Sequence, residues 1–357
     1  MLKLLLFICF SSFHADSKGI YLVEEYNGKT FAKPIPSNHH PRMADQVMTI
    51  LDLEDYDPTI VRKRQESDNV AGFMKNLFDQ MEEFELRKEQ QRKNSRLWLN
   101  ADRVSTQLPL EVIQKGKEIR LTFSKDDLLD RDEVELIESQ LRIQVDSELN
   151  NTIVLAVVPH YQEKQKISTK MHVATFNVTS MVASWYEDVD EPHIKLNSNT
   201  ENSLALDVFI VSAYKDTSLH NPKRRSRRAT PVAVPLSSEA ARPKAVFQLE
   251  SGITSCSRHG MYVDFEALGW KEWVIAPQGF SAYYCSGACS FPLHSSMNAT
   301  SHATIQTLVN LVRPDSAQEA RCVPSELSSL KIFFYDNKKN TQIKRYRDMV
   351  AEQCGCR

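Results

Sequence analysis

The sequence predicts two folds in one chain: an α+β region without cysteines, followed by a small disulfide-rich β domain with one helix. Three observations predict this. Six of the seven cysteines fall between Cys256 and Cys356, and none falls between Cys9 and Cys256. Ahead of the cysteine-rich part, apolar residues recur first at helical spacing and then in strand-like runs. Between the two parts stands a basic cluster, Lys223-Arg224-Arg225-Ser226-Arg227-Arg228, among prolines.

Composition narrows the class. Of 357 residues, 41% are hydrophobic and 25% charged, which excludes collagen, a fully disordered chain and a polytopic membrane protein. With 44 basic and 46 acidic residues the formal net charge is -2, so no global field draws the chain toward nucleic acid or an anionic bilayer.

In chain order, Met1–Ala15 carries Lys3, then Leu4 to Phe10 as an apolar run, then small and polar residues, the pattern of a secretory signal peptide. The run is too short for a membrane span, which needs roughly 20 apolar residues. Cleavage is expected after Ala15, with Ser17 or Gly19 as alternatives, and Cys9 leaves in each case. The remaining six cysteines are an even set in an oxidising compartment, which reads as a disulfide framework. Three acceptor sequons fit that compartment, at Asn150, Asn177 and Asn298.

Met43, Val47, Ile50 and Leu51, and then Val70, Phe73, Met74, Leu77, Phe78 and Met81, predict two amphipathic helices. Such stripes ordinarily mark core. Here the charged stretch Glu82 to Arg96 sets the helices apart from the strands, so docking outside their own domain is also open. Ile119–Phe123, Leu141–Val145, Thr152–Val158 and Leu206–Val211 predict strands.

The basic cluster suits a subtilisin-like processing protease, which needs Arg at the cleaved bond and again three residues upstream; Arg228 and Arg225 meet this. A heparin-binding patch and a solvated linker are the other readings. Arg62-Lys63-Arg64 has Val61 at the upstream position and is a poor second site. Beyond Arg228, Pro, Ala and Ser dominate as far as about Val246, predicting a flexible tail.

Cys285-Ser-Gly-Ala-Cys289 and Cys354-Gly-Cys356 are close pairs, each with a glycine inside. If Cys285 bonds Cys354 and Cys289 bonds Cys356, the two segments close a small ring through which a third bond, Cys256 to Cys322, can pass as a cystine knot. Six cysteines allow fifteen pairings, and spacing suggests this one without fixing it. Zinc ligation by four thiolates is disfavoured by the compartment and by the tight Cys-x-Cys pair. Downstream, Ile305, Leu308, Val309 and Val312 stripe a helix that Pro314 stops, and Lys331–Tyr335 and Thr341–Met349 flank a polar turn as a hairpin. A domain of hairpins tied at a knot is short of core, and the helix stripe needs cover.

The run from Cys256 through Trp270, Trp273 and Ala-Pro-Gln-Gly, then Tyr283-Tyr284-Cys285-Ser-Gly-Ala-Cys289-Ser-Phe-Pro-Leu, Met297-Asn-Ala-Thr, His302-Ala-Thr-Ile, Cys322-Val-Pro and the terminal Cys-Gly-Cys-Arg closely resembles the transforming growth factor-β superfamily, bone morphogenetic protein branch. The likeness covers about the last hundred residues, and the layout before it is similar to the family's prodomain. It implies a signal peptide at 1–15, a prodomain at 16–228, a flexible tail at 229–250 and a cystine-knot growth factor domain at 251–357. It also implies a non-enzymatic, secreted dimer, needing no cofactor or metal, that brings together type I and type II serine/threonine kinase receptors. Each subunit's helix would cover the concave face of a second copy or of a related ligand, and the chain's own prodomain is a further implied partner. By the same resemblance Trp270, Trp273, Phe291, Pro292, Leu293 and Met297 fall in the type I receptor surface, and Ala276, Lys331 and Phe333 in the type II surface.

Two residues depart from the pattern. Arg321 stands where most relatives carry the interchain cysteine, so a noncovalent dimer is expected. Lys331 stands where the branch usually has a small serine. Two other functions remain in view: an antagonist or obligate heterodimer partner, and, remotely, a secreted hydrolase zymogen built on His259 and Asp264.

Overall fold

The computed structural model describes residues 20–26, 29–34, 48, 68–86, 97–145, 153–158, 164–167, 173–187, 192–200, 206–217, 255–338 and 340–357. The expected signal peptide, Asn150, Arg225, Arg228, the tail at 229–250 and all of the first expected helix except Met48 lie outside them.

The N-terminal region runs β1 (Ile20–Tyr26), β2 (Lys29–Pro34), α1 (Asp68–Leu86), β3 (Arg103–Gln107), β4 (Glu111–Lys115), β5 (Glu118–Thr122), β6 (Val134–Val145), β7 (Ile153–Val158), β8 (Lys164–Ile167), β9 (Val173–Asn177), α2 (Thr179–Tyr186), β10 (His193–Ser198) and β11 (Leu206–Asp216). The C-terminal region runs β12 (Ser257–Asp264), β13 (Val274–Ala276), β14 (Gly279–Ser281), β15 (Tyr284–Ser286), α3 (Ser301–Val312), β16 (Cys322–Tyr335) and β17 (Thr341–Cys356). The four strands expected in the N-terminal region are β5, β6, β7 and β11, and the expected hairpin is β16 with β17. The charged stretch expected to part helix from strands is helical as far as Leu86, because Glu82 and its neighbours continue a solvent face of α1.

Two antiparallel sheets form the N-terminal core. One has the order β4-β5-β10-β7-β8; the other is β13-β16-β17-β3-β11-β6-β9 and takes strands from both regions. Period-two alternation explains what lies between them. Ile119 and Leu121 of β5 and Ile194 and Leu196 of β10 meet Leu141 and Ile143 of β6, Phe176 of β9 and Val208 and Ile210 of β11, with Val182 and Trp185 of α2 closing the cluster. Phe209, Val211 and Ala213 of β11 point the other way and meet α1. Both faces of β11 are therefore buried, which is why its sequence is a nearly continuous apolar run rather than an alternating one.

α1 buries the face that its spacing predicts, with Val70, Met74 and Met81 at 0 to 1% exposure. It lies across the shared sheet, touching Val104 and Phe209 of the N-terminal region and Ala276, Phe333 and Ile343 of the C-terminal region. Fully burying one such side chain is worth roughly 1.5–3 kcal/mol. Beneath it the sheet crosses from one region to the other where β17 pairs with β3, as Gln342↔Ser105, Ile343↔Val104 and Lys344↔Arg103. A buried contact of 2.7 Å joins the hydroxyls of Thr106 and Thr341, and the Thr341 N–H donates to the Thr106 hydroxyl at 3.0 Å. A second junction, absent from the sequence expectations, pairs β1 with β12 from Ile20↔Val263 to Val23↔Gly260.

The long hairpin of β16 and β17 turns at Asp336, whose carboxylate accepts from the N–H groups of Lys338 and Asn340, both at 2.9 Å, and from the Gln342 amide at 2.7 Å. Alternation along β16 sends Lys331 and Phe333 toward α1 and Ile332 and Phe334 into a separate cluster with Val263, Phe265, Trp270, Trp273 and Tyr346.

Candidate functional site

The cysteine-rich end is organised around three bonds, Cys256–Cys322, Cys285–Cys354 and Cys289–Cys356, with Cα atoms 5.4, 5.6 and 5.8 Å apart. The segments Cys285–Cys289 and Cys354–Cys356 close a ring, and the sulfurs of Cys256, Cys289 and Cys356 lie within 4.8 Å of one another. All three sulfurs are in disulfides, so this cluster offers no thiolate to a metal. Gly287 has φ +122°, and a Cβ there would stand 2.5 Å from the Ser255 carbonyl oxygen and 2.8 Å from the Cys256 nitrogen. The close approach is to the backbone that leads into the Cys256–Cys322 bond. At Gly355 the obstacle is different, the Asn298 carbonyl oxygen at 2.6 Å. Sequence separations of 66, 69 and 67 residues give each bond about 4 kcal/mol on the chain-entropy account.

α3 rests on this knot. The Thr300 hydroxyl caps it by accepting from the Ala303 N–H at 3.1 Å, and buried Thr307 donates to the Cys289 carbonyl at 3.3 Å. The opposite side is bare: Ile305, Leu308, Val309, Leu311 and Val312 are 61, 40, 40, 60 and 77% exposed. Arg321 is exposed immediately before Cys322, and its backbone exchanges hydrogen bonds with Arg357 at 2.9 and 3.0 Å.

α1 covers the other face of the hairpin. The Phe78 and Phe333 rings stack with centroids 6.1 Å apart, and Lys331 Nζ donates to the Met81 carbonyl at 3.1 Å and stands 3.5 Å from Glu82 Oε1. The Lys331 side chain has no solvent exposure, while that of Glu82 is about half exposed.

Residues 255–356 match the model of the transforming growth factor beta like domain. The C-terminal region belongs to that family. Human "Bone morphogenetic protein 8A" is 52% identical over 101 residues, 28% of this chain and 25% of that protein. "Protein 60A" of Drosophila virilis is 41% identical over 143 residues, 40% of this chain and 33% of that protein. The matches place the domain in the bone morphogenetic protein branch, and the chain covers a quarter to a third of the length of these relatives.

Within the growth factor domain, the residues that the resemblance assigns to receptors fall in three places. Ala276, Lys331 and Phe333 come together, all buried under α1. Trp270 and Trp273 are 4 and 1% exposed in the domain's own core, where Trp270 stacks on Phe265 and lies tilted against Trp273, and Trp273 meets Phe334 edge-on. Met297 is buried beside the knot with Leu293 packed near it, whereas Phe291 is 51% exposed and Pro292 follows it at the surface.

Asn177 and Asn298 are both exposed. Asn177 Oδ1 accepts from the backbone and hydroxyl of its sequon partner Thr179, and Asn298 donates to Ser325 Oγ at 3.1 Å. His259 contacts Ser257 Oγ at 3.2 Å, but Asp264 accepts from the N–H groups of Glu266 and Ala267 instead of completing a catalytic arrangement. Sequence reasoning missed Glu82 and Thr106 as contacts of the growth factor domain. Glu82 lay in a stretch read as a charged spacer, and its position one residue beyond the apolar stripe was the available signal. Among the described residues, no helix is long and apolar enough to cross a membrane.

Proposed function

We propose that the chain is the precursor of a secreted growth factor, cleaved after Arg228 by a subtilisin-like protease, whose C-terminal domain acts as a noncovalent dimer that brings type I and type II serine/threonine kinase receptors together. The observation that carries this reading is the apolar face of α3, bare on a domain of the bone morphogenetic protein branch that has no cysteine at Arg321. Five exposed aliphatic side chains on one short helix form the kind of patch that marks an interaction surface. A second chain covering them would supply the core that hairpins tied at a knot lack. The N-terminal region acts as a prodomain: α1 sits on Ala276, Lys331 and Phe333, so a type II receptor using those residues has to displace it.

A reporter driven by receptor kinases tests the reading. Cleaved protein should activate it and an Arg228→Ala precursor should not; equal signalling from both refutes activation by cleavage. The exposed Arg321 favours a second reading, that of a subunit exchanging into heterodimers with related ligands, since no covalent bond would hold two copies together. Co-expression with such a ligand distinguishes the two by whether mixed dimers outnumber homodimers.

A further inference from the structure

Among the residues that α1 covers, Lys331 is a fully buried cation beside the apolar Ala276, Phe333 and Ile343, and its position has physical weight. A buried ammonium is costly unless it is hydrogen-bonded and faces opposite charge. Here α1 supplies two acceptors, the Met81 carbonyl at 3.1 Å and Glu82 Oε1 at 3.5 Å, among the aromatic and aliphatic contacts of Phe78, Met81 and Phe333. Apolar area alone would hold any greasy helix; it discriminates weakly because it is non-directional. A charged donor buried where the apolar stripe of α1 ends does discriminate, since a partner without an acceptor there leaves the ammonium poorly answered.

We propose that Lys331 is the selectivity determinant of this face, admitting an amphipathic helix that carries a carboxylate immediately after its last apolar anchor, as α1 does with Phe78, Met81 and Glu82, and rejecting one that is apolar or basic there. α1 is the resident partner, and the pairing of Lys331 with Glu82 ties this N-terminal region to its own growth factor domain. A domain with a serine at this position has neither the requirement nor the reward. The inference goes beyond the proposed function and makes no use of receptors; it needs only that the two regions can be parted.

The test uses the full chain, with a site for a specific protease introduced within residues 218–254 and cut after folding. Retention of the N-terminal piece on the immobilised growth factor domain is followed after dilution, in four chains: the parent, Glu82→Lys, Lys331→Met and the double variant. Lys331→Met keeps the apolar stem and removes the charge. Glu82→Lys should weaken retention by roughly ten-fold when Lys331 is present and by less than about two-fold when it is Met. Equal losses in the two backgrounds would overturn the proposal, because a role in packing alone predicts no coupling. Fluorescence of Trp270 and Trp273, in the separate cluster on the other face of the hairpin, reports whether each variant is folded, and Lys331→Gln replaces Lys331→Met if the latter is not.

Discussion

Two helices of this chain carry similar apolar stripes and meet opposite fates. In α1, Val70, Met74, Leu77, Phe78 and Met81 are buried against a sheet shared by both regions; in α3, Ile305, Leu308, Val309, Leu311 and Val312 face solvent. Neither stripe differs from the other in kind, so periodicity identifies a face that needs cover without saying what covers it. For α1 the cover is within the chain, part of it from residues more than 200 positions away in sequence, such as Phe333 and Ile343. For α3 none of the described residues supplies it, and the proposed dimer would.

The contrast can be tested, and the largest effect is expected at Arg321. Arg321→Cys should convert a growth factor that runs as a monomer on non-reducing gels into a covalent dimer, whereas a covalent band in the parent would refute the noncovalent association. Next, Leu311→Asp should abolish the dimer seen by sedimentation at micromolar concentration while leaving the single chain folded, because this side chain is 60% exposed; an unchanged dimer would mean that α3 is not the seam. On the covered helix, Phe78→Ala should destabilise the uncut chain by about 3–5 kcal/mol in denaturant unfolding and leave the isolated growth factor domain's receptor activity intact. The smallest effect belongs to the hairpin turn. Burial pushes the Asp336 carboxyl above its ordinary value, outweighing the hydrogen bonds that hold it down. The folded state then keeps a proton that the unfolded chain has released, so this group's contribution to stability falls as pH rises just above the ordinary carboxylate range. Asp336→Asn should remove that slope from thermal unfolding measured across the window.

Much of this was legible in the residues. Local patterning is enough to locate α1, α3, β5 and β6, each of which has a face whose period matches its own geometry, and β7 and β11, which are short apolar runs. The knot was legible as a pattern of glycine-spaced cysteines, though the close approach at Gly287 to the Ser255–Cys256 backbone needs coordinates. What was not legible is non-local. Nothing in Arg103–Gln107 announces that it pairs with Gln342–Lys344, since strand pairing leaves no local mark of the partner's identity. Trp270 and Trp273, placed by resemblance on a receptor surface, pack inside the domain, and an isolated Trp in a sequence cannot distinguish the two environments.

The junction of β3 with β17 has a consequence for life after separation. While the regions are joined, the main chain of Gln342–Lys344 is occupied on both sides, by β16 and by β3. Parting them creates two raw strand margins at once, one on each fragment, and each offers the unspent amide groups that recruit foreign strands. Lys344 and Arg103 lie directly opposite in the joined sheet, Arg103 with Glu133 at 3.6 Å and Lys344 over the Tyr346 ring at 4.9 Å, and each then stands as a charged guard on its own fragment. The charges that line the seam are thus the ones that would discourage foreign strands at both margins.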